Sequence, residues 1–177
     1  MAARPLFVLG IYCAPVDQEN VDFNRQVYSI RQALHAKAES SPNLTHVNLS
    51  PISGHQFLYA VKQGRPNLIH FSGHDRDGGL CFVREDDKKT DFVTMTNLCE
   101  ELRKVYGDIG NLKGLILECC GSASQKEVLA QVAPVIAMEG SVPSVWAFQY
   151  AAHLFEQLFK GQTLAQAHEV LVSNTNH

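Results

Sequence analysis

The stretch GLILECCGSASQKE, residues 114–127, leads from an apolar run into two adjacent cysteines and then into a small, polar corner. A continuous apolar run of this kind is typical of a parallel strand that is covered on both faces. Gly121 and Ser122 are small enough for a sharp turn, and the residues after them predict a helix. We therefore predict a strand that ends on Cys119 and Cys120 and turns directly into a helix, with a thiol exposed at the turn.

Apolar runs and amphipathic stretches alternate along all 177 residues. Four further strands are predicted at LFVLGIYC, LTHVNLSPI, NLIHFSGH and PVIAME, with helices between them. The segment from Asp75 to Met95 has polar turns around two short apolar runs, which predicts a small accessory β-hairpin. This order of elements is typical of a parallel sheet covered by helices. We predict an α/β fold over residues 1–177 as a single domain, a three-layer α/β/α sandwich whose central sheet is mostly parallel.

Composition and charge argue against several classes of protein. Hydrophobic residues at 45% and charged residues at 19% are typical of a folded chain. The net charge of -3 argues against a nucleic-acid partner, because such proteins carry a basic excess. No apolar stretch reaches the ~18 residues of a membrane span, so no membrane partner is expected. The cysteines are odd in number and have no disulfide-scaffold spacing, which predicts a cytoplasmic protein.

Two polar clusters directly follow predicted neighbouring strands, HFSGHD at residues 70–75 and ECCGSAS at residues 118–124. In open α/β sheets, reacting groups gather at the carboxyl ends of the strands. A thiol becomes an effective nucleophile when a base or a positive charge lies beside it. We therefore expect His74 and Cys120 to meet at one edge of the sheet, with the N-terminal dipole of the following helix favouring the thiolate. Cysteines at strand ends also serve as packing residues, so this pair alone does not decide the function.

The segments LIHFSGHD and LILECCGSA resemble the paired histidine and cysteine segments of the caspase-like cysteine peptidases, and most closely those of the CHAT peptidases. In caspases the histidine lies ~50 residues before the cysteine, and His74 precedes Cys120 by a similar interval. The later segments VIAMEGSVPS and FEQLFKGQTLAQAHE also resemble that family, so the likeness covers most of the chain. The resemblance implies a caspase-like sandwich and a cysteine endopeptidase that needs no metal or organic cofactor.

The resemblance implies a role for each residue of the site. Cys120 would be the nucleophile and His74 the general base and acid, while Cys119 would be a small buried residue. The oxyanion would be bound by the backbone N–H of Cys120 and by that of the residue after the histidine. That second residue is glycine in the family and Asp75 here, a departure that bears on the efficiency of the site and on activity itself.

Two carboxylates bear on substrate preference. In caspases and metacaspases the residue two positions before the nucleophile lines the S1 pocket; here it is Glu118, and the resemblance places Glu139 at the same edge. A carboxylate in that pocket predicts cleavage after Arg or Lys, by charge-assisted pairing. The alternatives are a salt bridge for Glu118 and a solvated position for Glu139. His70 lies on the same strand face as His74, and we expect it to be structural.

The resemblance also implies partners: a protein or peptide substrate, and a regulatory partner chain or sensor module, because CHAT domains work beside such modules and the predicted single domain leaves no room for one. A zinc site formed by His70, His74, Cys119 and Cys120 would use preferred ligands. Neighbouring cysteines on a strand point to opposite faces, however, so we predict no metal. A catalytically impaired scaffold or interaction module stays open, and Asp75 favours it. The sequence has no phosphate-loop pattern of the kind that would indicate a nucleotide-sensing module.

Overall fold

The computed structural model describes residues 6–18, 21–38, 44–107, 112–141 and 143–175. Two compact units are distinguished within the chain. One comprises Leu6–Val21 and Thr45–Val142 and contains the sheet, and the other comprises Asp22–Leu44 and Pro143–His177 and is mainly helical. The predicted single domain over residues 1–177 stays a prediction.

The helices and strands follow the predicted alternation closely. In chain order they are β1 (Leu6–Cys13), α1 (Phe23–Ala38), β2 (Leu44–Leu49), α2 (Gly54–Gly64), β3 (Leu68–Arg76), β4 (Gly79–Val83), β5 (Thr90–Thr94), α3 (Met95–Tyr106), β6 (Gly114–Glu118), α4 (Lys126–Ala130), β7 (Val135–Ala137), α5 (Ser144–Phe159) and α6 (Leu164–Thr175). A short 3₁₀ helix, Ser122–Gln125, precedes α4.

β3 is the central strand of the sheet. It pairs in parallel with β1 on one side and with β6 on the other, and β7 pairs in parallel with β6. Side chains alternate along a strand, so one face of these strands packs against α2, α3 and α4. The buried apolar residues of that core include Leu9, Ile11, Phe57, Val61, Ile69, Phe71, Leu98, Leu102, Leu115, Leu117 and Leu129. Burial of this apolar surface is what fixes β3 between its neighbours.

Beyond the parallel region, β3 continues as the first strand of an antiparallel extension. Its last three residues pair with β4, where His74 lies opposite Cys81 and Arg76 lies opposite Gly79. β4 in turn pairs with β5. The turn between β3 and β4 is tight, because Asp77 and Gly78 both adopt positive φ angles of 48° and 80°. The predicted α/β class, with its mostly parallel sheet and small β-hairpin, is therefore confirmed.

The end of β6 differs from the prediction. The strand ends at Glu118, so Cys119 and Cys120 lie in the turn and not on the strand. The predicted helix from Ser122 is a four-residue 3₁₀ helix followed by the five-residue helix α4. A helix this short has a much weaker terminal dipole than a long one, so it stabilises a thiolate much less than the prediction assumed.

The helical unit is built from α1, α5 and α6. Its buried apolar residues are Ile30, Phe148, Ala151, Leu154, Phe155, Leu158, Leu164 and Ala167. Tyr150 on α5 and His168 on α6 are joined by a 2.6 Å contact between the hydroxyl group and Nδ1. In the parts of the chain that the structure describes, none of the helices combines the length and the apolar character needed to cross a membrane.

We expect Phe82→Ala to lower the free energy of unfolding by about 3–5 kcal/mol, because it removes a buried aromatic ring. Phe82 is 0% exposed. Its ring centroid lies 5.2 Å from that of Phe57 and 5.3 Å from that of Phe71. Urea denaturation measures the loss.

The matched control is Phe92→Ala on the paired strand β5, where the ring is 40% exposed. This variant is expected to lose less than about 1 kcal/mol. Equal losses in the two variants would show that β4 does not insert Phe82 into the core.

Candidate active site

The sheet brings His74 and Cys120 to the same edge. The parallel register of β3 and β6 pairs Ser72 with Glu118. His74 and Cys120 each lie two residues beyond that pair, at the carboxyl ends of adjacent strands. His74 is still on β3, where it pairs with Cys81 of β4, whereas Cys120 lies in the turn after β6. The register therefore brings the two residues to the same end of the parallel strands, and the meeting of their side chains stays a prediction.

Cys120 differs from the other cysteines in exposure. It is exposed, whereas Cys13, Cys81, Cys99 and Cys119 are buried. Burial raises the pKa of Cys13 to about 12 and that of Cys81 to about 11. Burial, with the nearby charge of Asp75 adding to it, also holds the pKa of the Cys119 thiol well above its usual range. Cys119 is buried, as predicted, and Cys120 is the exposed thiol.

The turn around Cys120 is held to a second segment after β7. Gly121 has a φ of 77°, in the left-handed region that favours glycine. Its N–H donates to the carbonyl of Gly140 at 3.2 Å, and the N–H of Ala123 donates to the carbonyl of Met138 at 3.0 Å. The Cys120 Sγ lies 3.9 Å from the Ser141 Oγ. Segment 138–141 therefore forms one wall beside the thiol.

Ser122 has a structural role that its sequence position did not reveal. It is 0% exposed. Its hydroxyl group donates to the carbonyl of Leu117 at 3.2 Å and accepts from the N–H of Met138 at 3.0 Å. The sequence suggested only that Ser122 is small; these bonds connect the end of β6 to the segment that carries Glu139, and nothing in the local pattern indicates that partner.

Asp75 lies next to the same turn. Its carboxylate Oδ2 is 3.6 Å from the position that a Cβ atom on Gly121 would occupy. Partial burial raises the pKa of this carboxyl group, while its own backbone N–H and the charge of His74 act in the opposite direction. The N–H that was predicted to bind the oxyanion is therefore in contact with the carboxylate of its own residue. A negative charge at this place opposes the development of a second one.

Glu118 does not lie on the open floor of a pocket. Its side chain is 0% exposed, and its Oε2 lies 2.8 Å from the Nε2 of His70, which is equally buried. The Tyr12 hydroxyl lies 3.4 Å from the other ring nitrogen of His70. The structure thus shows the salt-bridge alternative for Glu118 and the structural position expected for His70. Glu139 is exposed, in the segment beside the thiol.

In the ranges that the structure describes, no cluster of three or more His, Cys, Asp or Glu side chains is arranged to hold a metal ion. The four candidate zinc ligands are separated in environment, since His70 and Cys119 are buried and Cys120 is exposed. A shallow depression in the helical unit, lined by residues of α6 and of the turn before it, includes neither His74 nor Cys120.

Comparison with known proteins supports the fold and leaves the function open. No protein-family model and no curated protein matches the chain. The structure of Raptor from Chaetomium thermophilum aligns with 88% of this chain at a TM-score of 0.56 and 9% identity. This chain spans 18% of the length of that Raptor chain. An azoreductase from Bacillus anthracis str. Sterne aligns at a TM-score of 0.33 and 10% identity, over 93% of this chain and 98% of its own. At these identities the likeness to Raptor shows a shared fold alone.

A thiol-labelling experiment tests the exposure of the cysteines. In the native protein, we expect iodoacetamide to modify one thiol rapidly, and intact mass spectrometry to show a single added group. The Cys120→Ala variant is expected to lose this rapid phase, while Cys119→Ala retains it. Rapid modification of a second thiol, or a rapid phase that persists in Cys120→Ala, would contradict the described turn.

The buried pair of His70 and Glu118 makes a second prediction. Glu118→Ala is expected to lower the free energy of unfolding by about 3–5 kcal/mol, because it leaves a buried polar ring without its carboxylate. Glu118→Gln keeps the shape and a hydrogen-bonding oxygen, so its loss is expected to be smaller. Chemical denaturation of both variants checks this, with the exposed Glu139→Ala as the control, expected within about 0.5 kcal/mol of wild type. Equal stability of Glu118→Ala and wild type would contradict the pairing.

Proposed function

We propose that the chain is a cysteine endopeptidase of the caspase-like, CHAT type, in which Cys120 is the nucleophile and His74 the general base and acid. The observation that carries the proposal is the exposed thiol of Cys120, which lies two residues after Glu118, while His74 lies two residues after Ser72, the strand partner of Glu118. The other cysteines are buried, so Cys120 is the thiol placed to meet a polypeptide.

The reaction would be acyl transfer. The thiolate of Cys120 attacks the scissile carbonyl carbon, and the C–N bond breaks as the imidazolium of His74 protonates the leaving amine. The thioester is then attacked by water, from which His74 takes a proton. The acyl C–S bond then breaks, which releases the new carboxyl end and regenerates the Cys120 thiolate beside the imidazolium of His74. Water is the one co-reactant of this hydrolysis, and no metal or organic cofactor takes part in it.

The oxyanion would be bound by the backbone N–H groups of Cys120 and Asp75. The N–H of Gly121 is already bonded to the carbonyl of Gly140. The N–H of Asp75 also interacts with the carboxyl group of its own side chain, so this donor is shared. Losing one such donor costs about 10²- to 10³-fold in rate in other enzymes, so we expect slow turnover.

A preference for Arg or Lys before the cut follows from the negative charges around the thiol. Glu139 is exposed beside Cys120 and within reach of a substrate. Glu118 has no exposed surface and is bonded to His70, so it would act on a substrate only indirectly, through that pair. Regulation by a partner chain or sensor module belongs to the same proposal.

Asp75 also favours a second candidate function, that of a catalytically impaired scaffold which binds a peptide without cleaving it. In that case the exposed thiol turn and the wall formed by segment 138–141 would serve as a binding surface. The two candidates differ in one measurable property. The peptidase forms a cleavage product that requires Cys120, and the scaffold forms none.

Hydrolysis of fluorogenic peptides with Arg, Lys, Leu or Asp before the scissile bond tests the proposal. We expect cleavage of the Arg and Lys peptides, and a loss of kcat/KM of about 10³-fold or more in Cys120→Ala and in His74→Ala. Cys119→Ala, the adjacent control, is expected to keep its activity if its fold is intact. Glu139→Gln is expected to reduce the preference for Arg over Leu only slightly, because an exposed charge gains little from pairing.

Cleavage that survives in Cys120→Ala would rule out Cys120 as the nucleophile. A folded protein that binds peptides equally well with and without Cys120, and cleaves none, would support the scaffold instead. A preference for Asp before the cut would contradict the assignment of the local carboxylates to substrate recognition.

A further inference from the structure

Asp75 is a partly buried carboxylate without a salt bridge in the described part of the chain. The ion pairs found there join other residues. Its neighbour Asp77 shows the contrast, because that carboxylate is 79% exposed and lies 3.1 Å from the Nε of Arg76. A carboxylate that is partly removed from water and lacks a cation is destabilising. A positive charge bound beside the Asp75 carboxylate would offset this cost.

The surroundings of Asp75 supply little compensating charge. On its own strand, His74 acts on the carboxylate through its charge. The Cys81 thiol lies on β4, and the Cys119 thiol lies in the turn after β6. Burial is the main cause that raises the pKa of each thiol, and the charge of Asp75 adds to it. Both are neutral at neutral pH. Arg76, the adjacent cation, is 67% exposed and bonded to Asp77.

We propose that the Asp75 carboxylate binds the positive charge of the substrate side chain, a Lys ammonium or an Arg guanidinium, beside Cys120. This inference rests on the proposed function and names the specificity-determining residue of the same site. The carboxylate lies against Gly121, the residue that follows the nucleophile. A cation bound there forms charge-assisted hydrogen bonds and removes the cost of the partly desolvated carboxylate.

Asp75 suits this role better than the two other carboxylates of the site. Glu118 is buried and already bonded to His70. Glu139 is exposed, and an exposed charge gains little from pairing. Asp75 is intermediate in exposure, so it stays accessible while its interaction with a cation is weakened less by water. The residue that departs from the family pattern is thus assigned a function of its own.

Paired substrates with Arg or citrulline before the scissile bond test the inference, since the two side chains have the same shape and differ in charge. We expect wild type to prefer Arg by about 10- to 100-fold in kcat/KM. Asp75→Asn is expected to bring the ratio close to 1, and Asp75→Glu to restore part of it. The control Asp77→Asn removes the same charge two residues away and is expected to keep the preference. Circular dichroism and urea denaturation check that each variant folds.

A second measurement does not depend on hydrolysis. Agmatine carries a guanidinium group, and we expect it to slow the alkylation of Cys120 by iodoacetamide in wild type and in Asp77→Asn. The protection is expected to disappear in Asp75→Asn. If no peptide is cleaved but this pattern of protection is found, the peptidase proposal fails and the inference about Asp75 stands.

The opposite results overturn the inference. These are an Arg preference or agmatine protection that persists in Asp75→Asn, or the absence of both in folded wild type. An equal rise in turnover of the Arg and citrulline substrates in Asp75→Asn also overturns it, because it would show that the carboxylate only hinders the oxyanion.

Discussion

The parallel pairing of β3 with β1 and β6 is the constraint on which the rest of this structure depends. The register aligns Ser72 with Glu118; His74 follows Ser72 by two residues on β3, and Cys120 follows Glu118 by two residues in the turn after β6. A shift of one residue would send one of these strands' side chains to the opposite face of the sheet. Burial of Ile69 and Phe71 against Leu115 and Leu117 resists such a shift, so the apolar core and the candidate site are specified by the same contacts.

The sequence predicts the parts of this arrangement that follow from local pattern. Continuous apolar runs identified the strands, and the polar segment after His74 identified the hairpin. The small residues after Cys120 predict a turn with an exposed thiol, and the structure shows Cys120 exposed in a turn. Such features depend on residues close together in the chain, where periodicity and side-chain size are informative.

The features that could not be predicted depend on distant partners. Glu118 is bonded to His70, 48 residues away, and spacing alone does not tell which partner a strand-end carboxylate takes. The end of β6 is set by Ser122, whose hydroxyl group is bonded to Met138, 16 residues away. Asp75 was recognised as a departure, but its contact with the turn at Gly121 emerges only when β3 and β6 are placed side by side.

We propose that Cys120 is a nucleophile that depends on His74. The most direct test is an acyloxymethyl ketone peptide with Arg next to the ketone, followed by intact mass spectrometry and peptide mapping. The account predicts a single adduct on the sulfur of Cys120, formed much more slowly in His74→Ala. An adduct on another residue, or equal labelling rates in wild type and His74→Ala, would contradict it.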